Sequence, residues 1–228
     1  MMARKYSEAG DHLTSRRPVE VSRYRWFTRL NHWIIATTTI LLLLSGLAFF
    51  HPWLYGLTAL FGGGQTARWL HPLLGLVLFV GYTLIFIQLV PRNIPRRDDV
   101  VWVKHIRDVM DQNEEKLPTL GKYNAGQKFV FWAMAALIVV LLVTGIMVWQ
   151  EYFPHIVDIN TRRWAMLIHA AAAVAMVMVF IIHVYAAVWT RGTIRAMTRG
   201  SVTGGWAWRH HRKWLREVAG RDRAGPAE

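Results

Sequence analysis

Ten histidines are spread over the 228 residues, and sorting them by depth within the long runs that contain no Asp, Glu, Lys or Arg leaves four, His32, His71, His169 and His183. An ionisable side chain in such a run is costly and marks a functional site. His169 and His183 are 14 residues apart, four turns at the 3.5-residue period of a left-handed bundle, so both rings project from one stripe of a helix. At about 1.5 Å of rise per residue they stand roughly 21 Å apart, too far to hold one metal ion together. Each therefore needs a partner at its own depth. His32 lies three residues beyond Arg29 and His71 three beyond Arg68, while His169 lies six in from Arg163 and His183 eight short of Arg191. Depth pairs His71 with His169 near one membrane face and His32 with His183 near the other.

Two opposed imidazoles at each of two levels in a helical bundle are what bis-histidine ligation of two b-type haems requires, since b haem is held by axial ligands and packing alone. The chain has no cysteine, which excludes thiolate-held iron–sulfur clusters, disulfides and covalent c-type haem attachment. Residue i+4 from each of the four is small, Ala36, Gly75, Ala173 and Ala187, leaving room for a flat macrocycle beside its ligand. Helix packing alone also favours small residues in membrane spans. Of the other histidines, His51 before Pro52 is an alternative to His71, and His12, His105, His155, His210 and His211 fall in polar segments. Arg25, Arg29 and Arg191 at one face, and Arg68 and Arg163 at the other, are placed to pair with haem propionates.

The elements that must position these residues are membrane spans. Hydrophobic residues make up 54% of the chain and charged ones 18%, against about 25% charged in soluble domains. Uncharged runs at about 30–50, 69–91, 129–150 and 164–190 each exceed the roughly 18 apolar residues that mark a spanning helix. The fold class is thus an all-α integral membrane protein, a four-helix bundle binding two b-type haems. A cleaved signal peptide does not fit, because 29 mostly polar residues precede the first run. The net charge of +13 follows membrane topology: seven Lys and Arg lie up to Arg29, eight in the loop 92–128 and nine in the tail 191–228, leaving three of 27 elsewhere. By the positive-inside rule both termini and the central loop are cytoplasmic, and nucleic acid is not the partner.

Within the loop, Val100, Val103, Ile106 and Met110 follow helical spacing after Asp98 and Asp99, which predicts a short amphipathic helix on the cytoplasmic membrane surface. Asp111, Glu114 and Glu115 read as a solvated acidic stretch or as a proton supply. The tail interleaves Trp206, Trp208 and Trp214 with Arg and His, the pattern of a basic interfacial segment anchored by tryptophan. No internal repeat is evident. A histidine-based metal transporter would want ligands converging at mid-membrane, which the depth pattern disfavours, and a passive membrane tether would need no paired histidines.

The chain resembles the gamma subunit, the cytochrome b subunit, of membrane-bound respiratory formate dehydrogenase from about Arg25 to Arg216. The resemblance rests on GKYNAGQK at Gly121–Lys128, LLVTGIMVW in the third span, LHPLLG around His71, LIHAAA around His169 and IIHVYAAVW around His183. Cytochrome b subunits of hydrogenases and thiosulfate reductases share the four-helix, two-haem plan. The resemblance implies an inner-membrane subunit that takes electrons from an iron–sulfur (beta) subunit on the outer side, with formate oxidised on a catalytic (alpha) subunit, in a higher oligomer of the heterotrimer. It passes them through two haems to menaquinone near the cytoplasmic face. It also implies a quinone site at Asn124, Gly126 and Gln127 beside His183. Amides can donate to a quinone carbonyl and glycine lets backbone approach a ring, although Asn-Ala-Gly by itself reads as a turn before a helix. The residues before Tyr24 exceed the resemblance and have no evident role.

Overall fold

The computed structural model describes residues 13–16, 19–111 and 117–224. In chain order the elements are β1 (Leu13–Arg16), β2 (Val19–Ser22), α1 (Trp26–Phe50), a 3-10 helix (Pro52–Phe61), α2 (Gly64–Asn93), α3 (Arg97–Lys104), α4 (Ile106–Met110) and α5 (Ala125–Val148). They continue with α6 (Ile159–Trp189), α7 (Thr193–Thr198), β3 (Ser201–Thr203), α8 (Gly204–His210) and α9 (Arg212–Ala224). The helices α1, α2, α5 and α6 are long and apolar enough to cross a membrane, with mean hydropathy from 2.1 to 2.7. Four hydroxyls within them are satisfied by their own helix. Thr39, Ser45, Thr83 and Thr144 each donate to the carbonyl four residues back, which carries a polar group at bilayer depth without water.

The helix ends follow from local chemistry. The 3-10 helix stops at Gly62 and Gly63, both with left-handed φ (82° and 108°), a conformation glycine adopts without a Cβ penalty. Asp158 opens α6 by accepting from the amides of Asn160 and Thr161. The Thr161 hydroxyl and these amides hold its carboxyl below the usual carboxylate range. Helices α1 and α2 meet closely at Gly81, whose carbonyl accepts from Asn31 Nδ2 at 2.8 Å. A Cβ there would stand 3.1 Å from Ile35 and 3.2 Å from Asn31 Oδ1, so even alanine would crowd the contact.

The chain divides into two compact units, residues 31–86 with 132–182, and residues 1–30, 87–131 and 183–228. The first contains residues 31–50 of α1, 64–86 of α2, 132–148 of α5 and 159–182 of α6, with the 3-10 helix. The second contains features that the all-helical expectation lacked. Strands β1, β2 and β3 form an antiparallel sheet with β2 in the centre, pairing Val21 with Val202. Val21, Val202, Ala196, Ala207, Trp214 and Val218, all at most 3% exposed, form the core beneath it. The residues before Tyr24 thus supply two strands of the sheet that the tail completes. Gly200 (φ 82°) joins tail to N-terminal segment, its carbonyl accepting from the amides of Arg23 and Tyr24.

The predicted amphipathic helix is two helices, α3 and α4, separated at His105, where the backbone turns (φ −102°, ψ 27°). Val100, Val103, Ile106 and Met110 are all exposed, whereas Trp102 is buried. Asp99 rather than Asp98 makes the cap, accepting from the amide of Arg96 at 2.6 Å.

Candidate functional site

His71 lies in the second turn of α2 and His169 in the third turn of α6. Their ring centroids are 6.4 Å apart with planes inclined at 63°. A metal bound about 2 Å from one nitrogen of each ring, with each ring centre about 1 Å further out, would separate opposed centroids by roughly 6 Å. The two rings are spaced to share one iron. The Nδ1 of His71 lies 2.7 Å from Ser45 Oγ and that of His169 lies 2.9 Å from Thr144 Oγ1, so Nε2 is the nitrogen of each that a metal would use. The neighbouring surfaces are small. A Cβ on Gly46 would stand 3.5 Å from His71 Cε1, one on Gly145 would stand 3.4 Å from His169 Cε1, and one on Gly75 would meet nothing within 4 Å. Donor type, ring spacing, tied-off second nitrogens and open space one turn from His71 all fit a bis-histidine haem.

His32 on α1 and His183 on α6 belong to different compact units, and each is half-buried. His51, the alternative to His71, is exposed and caps the 3-10 helix, its Nδ1 accepting from the amide of Trp53 at 3.3 Å. Among the described residues no group of three or more His, Cys, Asp or Glu is placed to hold a metal ion. Glu114, Glu115 and His12 lie outside the described residues.

The residues nominated for quinone form the first turn of α5. Gln127 donates its amide N–H to Asn124 Oδ1 at 2.8 Å, and Asn124 donates its own to Gln127 Oε1 at 3.1 Å. This is a reciprocal cap, so the reading of a turn before a helix is physically present. It uses both side-chain oxygens and neither NH2 group. Gly126 faces Trp102, whose Cη2 would come within 3.2 Å of a Cβ there, so glycine is what lets the indole cover the turn. Behind it Lys128 donates to Asp99 Oδ2 at 2.7 Å in a buried ion pair.

The family of prokaryotic cytochrome b561 matches residues 23–200. The chain belongs to that family. Among curated proteins it is 44% identical over 198 residues to the formate dehydrogenase cytochrome b556(fdo) subunit of Escherichia coli K12, covering 87% of this chain and 93% of the relative. It is 40% identical over 198 residues to the nitrate-inducible cytochrome b556(Fdn) subunit of the same organism, covering 87% and 91%. It is 37% identical over 197 residues to the formate dehydrogenase cytochrome b556 subunit of Haemophilus influenzae Rd, covering 86% and 83%. This cytochrome is therefore a membrane protein of a haem b family, in agreement with its four apolar helices.

In this cytochrome b561 the basic tail is a folded cap over residues 120–123 of the loop. Trp214 is fully buried and His211 1% exposed, so Trp214 is a core residue, while Trp208 lies at the surface with Arg212 and Arg216 over its ring. His211 Nδ1–H donates to the carbonyl of Gly121 at 2.6 Å and the amide of Lys213 to that of Leu120 at 3.0 Å. Arg23, 2% exposed, donates to the carbonyl of Lys122, and Lys122 Nζ returns a bond to the carbonyl of Arg23 at 2.8 Å. The Arg23 guanidinium lies 4.9 Å from the Trp214 ring centre and 5.0 Å from that of Trp206, aromatic faces that shelter a buried cation. Burial, and then the charge of Arg23, hold His211 well below the ordinary histidine range. Ser45, Thr144 and the His211 cap were absent from the sequence expectations. The visible signal for the first two was the paired Ser-Gly of LLSGLAFF and Thr-Gly of LLVTGIMVW, a local two-helix correspondence where no repeat had been evident.

Proposed function

We propose that this chain is the dihaem cytochrome b subunit of a formate dehydrogenase complex, carrying electrons from an outer-side iron–sulfur subunit to menaquinone at the cytoplasmic face. The observation that carries the reading is the His71–His169 pair, 6.4 Å between centroids with a hydroxyl on each Nδ1. His71 and His169 hold the outer haem, and His32 and His183, matched in depth, hold the inner one. Haem held by two histidines supplies one-electron transfer without an open coordination position. The names of the relatives, all formate dehydrogenase cytochrome b556 subunits, support the assignment of partners, a catalytic subunit and an iron–sulfur subunit.

At the quinone end the chain provides hydrogen bonds. The NH2 groups of Asn124 and Gln127 donate to quinone oxygen as negative charge develops there, and preorganised donors of this kind favour the charged state over the neutral one. The reciprocal cap fixes both amides before quinone arrives. Each quinone takes two electrons and two protons, the protons coming from the side on which the loop lies. The test is Asn124→Asp beside Asn124→Leu. Aspartate keeps the oxygen that caps α5 and lacks the NH2 donor. Both variants should retain two haems reducible by formate and oxidise them slowly with quinone. Quinone turnover at the wild-type rate in both variants would remove Asn124 from the site and leave it a cap.

A further inference from the structure

Ser45 and Thr144 stand on different helices and make the same arrangement. Each hydroxyl touches the Nδ1 of a histidine on the next long helix, 26 residues on for Ser45 and 25 for Thr144. Each also reaches the carbonyl four residues back, Leu41 at 2.8 Å and Val140 at 2.6 Å. A hydroxyl has one proton, and a carbonyl can only accept. With that proton donated to the backbone, the oxygen offers lone pairs alone and must accept from the ring. Nδ1 therefore carries the hydrogen in both histidines, and Nε2 is left with a lone pair. Ser45 is fully buried and Thr144 is 6% exposed, so water does not compete for either bond. The glycine after each hydroxyl, Gly46 and Gly145, lies against the Cε1 edge of the same ring and fixes its plane from the other side.

We propose that Ser45 and Thr144 are positioning residues that lock the Nε2-ligating tautomer of His71 and His169 and lower the reduction potential of the iron those rings share. The inference rests on the bis-histidine reading of this pair. An acceptor on the distal N–H makes an imidazole a stronger donor to its metal, which stabilises the oxidised iron. Two such acceptors, Ser45 and Thr144, act on the one iron that His71 and His169 would share. The paired Ser-Gly and Thr-Gly steps thus act on the haem of His71 and His169, whose rings they touch.

The experiment is potentiometric titration of the purified complex, read in the visible α-band and by low-temperature electron paramagnetic resonance, for Ser45→Ala, Thr144→Val and Thr144→Ser. Alanine at 45 and valine at 144 should leave two low-spin haems and raise the potential of the same single haem. The expected change in its oxidised-to-reduced ratio is about threefold to tenfold, which at 59 mV per decade for one electron is roughly 30–60 mV. Thr144→Ser keeps the hydroxyl and should restore the wild-type potential and resonance. Wild-type potentials in Ser45→Ala and Thr144→Val, or equal shifts of both haems, would overturn the proposal. If Ser45→Ala does not assemble, the Val and Ser pair at 144 decides alone, a shift in valine with recovery in serine supporting the proposal and equality of the two defeating it. Retention of both haems in His71→Ala would instead defeat the ligand assignment on which it rests.

Discussion

Replacing Trp214 by alanine should release the loop as well as the tail. Trp214 is fully buried in the core made with Val21, Val202 and Val218, and Trp→Ala in such a site costs about 3–5 kcal/mol. The Arg23 guanidinium over its face would lose a further interaction of about 1–2 kcal/mol. The residues just before Trp214 in the tail hold the loop, Lys213 through Leu120 and His211 through Gly121, so opening the cap frees both carbonyls together. At tenfold per 1.4 kcal/mol, the fraction of time the cap is open rises at least about a hundredfold. Hydrogen exchange of the purified complex, followed by mass spectrometry, reads this directly. Peptides covering 201–218 and 120–128 should both exchange on the order of a hundredfold faster, while peptides covering 64–90 keep their rate. Unchanged exchange over 120–128 in a variant whose tail has opened would refute the coupling between cap and loop.

Three further outcomes follow from the same structure. Burial holds His211 well below the ordinary histidine range and His210 at about 4, so the open cap binds protons that the closed cap does not; its stability is complete above about pH 6.5 and falls toward pH 4, by up to about 1.4 kcal/mol per unit for each histidine. Exchange rates over 201–218, corrected for intrinsic rate, should therefore rise on acidification across that window. Glu20, held low by Ser201 and Arg195, adds a loss of the same sign only below its ordinary value. Lys128→Met should strand Asp99 in its buried position and destabilise the complex by about 3–5 kcal/mol, seen as a lowered Tm; restoration by a second change, Asp99→Asn, would tie the loss to the stranded charge. Reporter fusions at residues 110 and 228 should both report the cytoplasm, and one at residue 158 the outside, from the 24 basic residues grouped with the termini and central loop.

The spans and the four span histidines were legible because a membrane imposes one-dimensional rules: no charge over some 20 residues, and a reason for every ionisable side chain within. The His71–His169 meeting followed from depth alone. What escaped was whatever depended on distant partners. Tryptophan among arginines reads the same whether it faces a membrane interface or a protein core. Trp214 became core because a strand near residue 21 and a loop near residue 121 close over it. Ser45 and Thr144 look like ordinary span hydroxyls bonding to their own helices, and half of what they do is that; the other half needs the next helix. The amphipathic pattern of 100–110 falls on helices, yet periodicity could not show the break at His105.

The measurement that tests the central claim most directly is the haem content of His71→Ala, by haem extraction together with the visible spectrum of the purified complex. One b haem per chain should remain, low-spin and still bound by His32 and His183, with the same result in His169→Ala. Two haems retained in either variant would contradict the bis-histidine pairing of His71 with His169.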